Sequence, residues 1–69
     1  MAIIDLRIEK QMRINAVLAT KVTGYTKDEF FKKQVRLVEC AIKNGFAKKE
    51  ILKALQDRNM SRLSIMAAI

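Results

Sequence analysis

Apolar and polar residues alternate strictly near the start of this chain, over Ile4-Asp5-Leu6-Arg7-Ile8-Glu9. A period of two is the pattern of a half-buried strand, and it predicts a short strand there. Every later segment has helical spacing. Met12, Ala16 and Ala19, with Val17 and Leu18, predict a first helix over Lys10–Val22. An alternative reading starts that helix at Ile3 or Ile4 and has no strand. Thr23-Gly24-Tyr25-Thr26 breaks the pattern, and Gly24 suits a left-handed helix end. Thr26 and Glu29 have the spacing of a capping box, which opens a second helix over Lys27–Lys43. Phe31, Val35, Val38 and Ile42 form one apolar row on it, and Phe30, Leu37 and Ala41 another. Together they give an arc wider than a surface helix needs. Asn44-Gly45-Phe46 closes this helix, with Phe46 folding back on its last turn. A third helix is expected over Ala47–Asp57, with Ile51, Leu52 and Leu55 on one face. Arg58-Asn59-Met60 reads as a turn. Ser61 is expected to cap a fourth helix carrying Leu63, Ile65, Met66 and Ile69, with Met60 stapled against Ile65.

A six-residue strand leaves its ladder groups unpaired, and no second strand exists in the chain to meet it. The expectation is therefore a homodimer whose two strands pair antiparallel across a two-fold axis. The wide arc of the second helix agrees, as a helix buried on two sides at the centre of a dimer. The fold class expected is mainly α. Residues 1–44 form the dimerising unit, and residues 45–69 a helical extension within the same compact domain. Length points the same way, since a chain of 69 residues gains much from a staple. Cys40 is the sole cysteine and there is no histidine, so neither an internal disulfide nor a usual zinc site is expected. No motif implies a cofactor.

Charge narrows the partner. The chain carries +7, with surpluses of +2, +2 and +3 over residues 1–24, 25–46 and 47–69. An even basic surface favours a polyanion such as nucleic acid. No apolar run is long enough to span a bilayer and no signal peptide opens the chain, so a cytoplasmic protein with no membrane partner is expected. Enzyme chemistry finds no support: there is no Gly-rich phosphate loop and no nucleophile–base pair, and Asp28 and Glu29 read as helix-start acids. Cys40 reads as a small packed residue.

The ordered set of Ile4-Asp5-Leu6-Arg7-Ile8, a helix, Thr23-Gly24-Tyr25-Thr26 and Glu29-Phe30-Phe31 resembles the ribbon–helix–helix family of small prokaryotic repressors and antitoxins. The resemblance covers residues 3–43. It implies a double-stranded DNA partner, with Ile3, Asp5 and Arg7 reading base edges and Thr26 and Lys27 holding a phosphate at a helix N-terminus. Residues 45–69 resemble a helix-turn-helix instead, through Gly45, Glu50-Ile51, Leu55 and Ser61-Arg62-Leu63-Ser64-Ile65. That alternative is an all-α bundle whose DNA contacts are Lys48, Lys49, Arg58, Ser61, Arg62 and Ser64. In it, the connection from Leu55 to Ser61 is about three residues longer than the tight motif, and Gln56 stands where a glycine is expected. The function expected is a sequence-specific repressor or antitoxin-type regulator. The alternative is a basic interaction module, an inhibitor or adaptor whose basic face meets an acidic protein. Residues 47–69 are also expected to offer apolar surface to a second dimer or a protein partner.

Overall fold

Residue Leu6 is 71% exposed and Ile8 is 1% exposed. Two side chains that should share a strand face therefore point to opposite environments, and the ribbon expectation fails there. The computed structural model describes residues 5–22 and 24–68, and among them there is no strand. The chain folds as four helices: α1 Leu6–Val22, α2 Lys27–Lys43, α3 Lys48–Gln56 and α4 Met60–Ala68. Ile3, Ile4 and Ile69 lie outside the described residues.

The physical reason for the correction is a helix start hidden inside the alternation. Asp5 is the N-cap of α1. Its Oδ1 accepts from the Arg7 N–H at 2.9 Å and its carbonyl accepts from the Glu9 N–H at 3.0 Å, the pairing that satisfies orphan amides in a first helical turn. From there Ile8, Met12, Asn15, Ala16 and Ala19 form one buried stripe at helical spacing. The helix is thus four residues longer at its start than its apolar spacing alone predicts. With no strand to pair, the strand-based argument for a dimer is gone.

The second correction concerns α2. Its wide arc is filled within one chain, because α1, α3 and α4 all pack against it. Val38 and Ala41 are fully buried, and Phe31, Val35, Leu37 and Ile42 pack around them. Residues of α3 and α4 complete this core through Ile51, Ala54, Leu55, Leu63 and Met66. These nine-residue helices are too short to hold alone in water and are stabilised by that docking. Met60 packs against the core while Ile65 stays 63% exposed, so the expected staple between them does not form.

Local signals place the ends of α2. The capping box is complete: Thr26 Oγ1 accepts from the Glu29 N–H at 3.2 Å, and the Glu29 carboxylate reaches back to the Thr26 N–H at 3.4 Å. At the other end Gly45 has φ 93°. The Gly45 N–H donates to the Ile42 carbonyl and the Phe46 N–H to the Ala41 carbonyl, the paired bonds of a Schellman end.

One polar network crosses the core. Asn15 and Gln34 are 5% and 0% exposed. The Asn15 amide donates to Gln34 Oε1 at 3.2 Å and to the Leu55 carbonyl at 3.0 Å. Gln34 donates to the Met12 carbonyl at 2.9 Å, and Gln11 donates to Asn15 Oδ1 at 3.1 Å. The network ties α1, α2 and α3 together. No buried side-chain nitrogen or oxygen among the described residues lacks a partner.

Candidate nucleic-acid interface

The unit α3–turn–α4 is built around three residues, Asp57, Arg58 and Asn59. α3 closes with a second Schellman end. The Arg58 N–H donates to the Leu55 carbonyl and the Asn59 N–H to the Ala54 carbonyl, both at 3.0 Å. Arg58 holds the left-handed seat at φ 53°, where glycine is the usual occupant. Asn59 then starts α4: its Oδ1 accepts from the Arg62 N–H at 3.0 Å, and its carbonyl accepts from the Leu63 N–H at 3.1 Å. One residue thus ends α3 and caps α4, so Asn59 and not Ser61 is the cap. The expected glycine equivalent is Arg58 and not Gln56, and only three residues separate the helices. An L-residue in this backbone region carries about 1 kcal/mol of strain. Arg58→Gly should accordingly raise the melting temperature by a few degrees, read by circular dichroism.

α4 buries Leu63 and Met66 and turns Ser61, Arg62, Ser64 and Ile65 outward. Arg62 forms no ion pair among the described residues. The far end of α4 is held by Asn44, whose amide donates to the Met66 and Ala67 carbonyls at 3.0 and 3.1 Å. This clamp leaves no trace in the pattern of apolar residues. Lys48 and Lys49 lie exposed in the first turn of α3, which no side chain caps. They share a cavity of about 210 Å³ with Asp5, Arg7, Ile8 and Leu52. The structure therefore brings Arg7 from one reading beside Lys48 and Lys49 from the other.

Of the other sequence-derived positions, Asp5 and Arg7 line this cavity, whereas Thr26 and Lys27 do not. Ile3 lies outside the described residues. Asp5 accepts a backbone hydrogen bond as a cap, and Arg7 is exposed with its guanidinium 3.9 Å from the Asp5 carboxylate. The Thr26 hydroxyl is engaged with Glu29 at 2.9 Å. Lys27 is exposed beside a groove lined by Arg13, Val17 and Asp28. Among the described residues no group of His, Cys, Asp and Glu is placed to hold a metal ion. No helix among them is long and apolar enough to cross a membrane. Comparison with protein-family models, with curated proteins and with solved structures gave no match.

Chemically, an outward row of two hydroxyls, a guanidinium and a branched apolar side chain suits a groove of base edges. Arg62 can bond guanine with two parallel hydrogen bonds, the serines can donate or accept, and Ile65 can meet a thymine methyl. Lys48, Lys49 and Arg58 are exposed and carry charge fit for phosphates.

Proposed function

We propose that this chain is a cytoplasmic DNA-binding regulator that reads double-stranded DNA through α4. The observation that supports the reading best is the tight turn itself: Asn59 welds α3 to α4 and leaves Ser61, Arg62, Ser64 and Ile65 on an open face. α3 supplies backbone contacts through Lys48 and Lys49, and Arg58 adds one from the turn. A nine-residue α4 covers few base pairs, so an operator would need two copies on repeated half-sites.

The test is a gel shift and anisotropy titration against duplex DNA from upstream of the chain's own gene, across a salt series. Arg62→Ala should weaken specific binding by about 1–3 kcal/mol and relax preference at one base pair of each half-site. Lys48→Ala and Lys49→Ala should weaken binding to all sequences alike and flatten the salt slope by about one each. Intact binding by Arg62→Ala together with loss in Arg7→Ala would remove the support for α4 as the reader.

A further inference from the structure

The outward face of α1 exposes large apolar residues. Ile14, Val17, Leu18 and Val22 are 52, 45, 36 and 84% exposed. Ile14, Leu18 and Val22 follow one another at every fourth position, an apolar ridge roughly 12 Å long at 1.5 Å per residue. Beside the ridge a cavity of about 290 Å³ opens between α1, Phe30 of α2 and the α3–α4 turn, where Arg58 and Met60 line it. Asn15, Leu18, Ala19 and Val22 line its α1 side. On the other side of the ridge a second groove runs between Val17 and Phe31, edged by Arg13 and Lys27.

Charge decides what can cover this face. Lys10 and Lys21 lie one turn from Ile14 and Val17 on the same helix, and Arg13, Lys27 and Arg58 edge the two grooves. Acids beside it include Glu9, held by Arg13 at 2.7 Å, Asp28, and Asp57 next to Arg58 in the chain. A second copy would bring its own ring of cations against this one, with little negative charge to offset it. Duplex DNA would match the charge and leave the ridge wet. We infer that the α1 face is a docking surface for a protein partner, an amphipathic helix with acidic residues flanking an apolar stripe. The partner helix lies along the Ile14–Leu18–Val22 ridge. It sets one large apolar side chain into the cavity over Ala19, and its carboxylates meet Arg58 on one edge and Lys21, Arg13 and Lys27 on the other. This surface is separate from the outward face of α4 and does not depend on the DNA reading; the two share only Arg58.

The test uses the full chain and a labelled synthetic helix with leucines on one face and glutamates flanking them. A scrambled peptide of equal composition serves as control, and binding is read by fluorescence anisotropy. The designed helix should bind saturably, and the scrambled one should not. Val22→Asp and Lys21→Glu should each weaken binding at least tenfold. Both positions are exposed at the end of α1, so unfolding midpoints should stay near that of the parent. Absence of binding, or equal binding by the variants, overturns the assignment. So does a concentration-dependent dimer in sedimentation that Val22→Asp splits, which gives the face to a second copy. Capture by phosphatidylserine vesicles, lost in Val22→Asp without any peptide binding, overturns it in favour of a lipid surface.

Discussion

Leu55→Ala should leave the chain largely unfolded at room temperature. Leu55 is 1% exposed and joins the core cluster that α1, α2, α3 and α4 share. Truncating a leucine in such a place removes transfer free energy and leaves a cavity, about 2–5 kcal/mol together. A chain of this size holds a total stability of only roughly 3–10 kcal/mol. The loss is therefore comparable with the whole. A urea titration followed at 222 nm should show either no cooperative transition or a midpoint far below that of the parent. Ile65→Ala is the matched control: Ile65 is 63% exposed, and its truncation should change stability by less than about 0.5 kcal/mol. Similar effects of the two substitutions would mean that α3 is not seated in the core as described.

The second large effect is polar. Gln34→Leu keeps the volume nearly constant yet should cost about 1–3 kcal/mol. It deletes the donor to the Met12 carbonyl and the acceptor for the Asn15 amide, at a position with no access to water. Asn15 keeps its bond to the Leu55 carbonyl, which limits the damage. Removing both partners is a different case, because an apolar pair leaves fewer orphaned groups than a half-deleted one. Asn15→Leu with Gln34→Leu should thus cost less than the two single changes added together. A double-mutant cycle of thermal unfolding measures this, and strict additivity would show that the two amides do not act as a unit.

The parts of the fold that were legible in the sequence are those whose signals are local. Thr26 with Glu29, and Gly45 with Phe46, each fix a helix end through bonds within a few residues, and both ends of α2 stand where those residues place them. The N-terminus was misread because a short alternation is also what a helix start produces by chance. Asp5, taken as a base reader on a strand, is a cap, and Leu6 simply faces solvent. The breadth of the apolar arc on α2 was visible, but its cause was not. Breadth reports how many neighbours a helix has, and two more helices of the same chain serve as well as a partner. Asn15 and Gln34 left no sequence signal, since a polar residue on an apolar stripe reads as a solvated edge until its partner 19 positions away is in place. At the candidate interface, Ser61, Arg62 and Ser64 were legible as a helix-start pattern. The turn before them was legible at Arg58 and Asn59, but its tight left-handed form was not, because arginine occupies a backbone seat usually held by glycine.

The Asn44 clamp bears on the thermodynamics of association. α4 is fastened at its first turn by Asn59 and at its last by Asn44, so it meets any target already ordered at both ends. The conformational entropy of a terminal segment, which in a fold-on-binding arm is lost at the moment of contact, has here been lost during folding of the chain. On the proposed DNA-binding reading, association through α4 would accordingly be a rigid-body event. Its heat-capacity change reports the surface the two molecules hide from water, with no contribution from a helix forming.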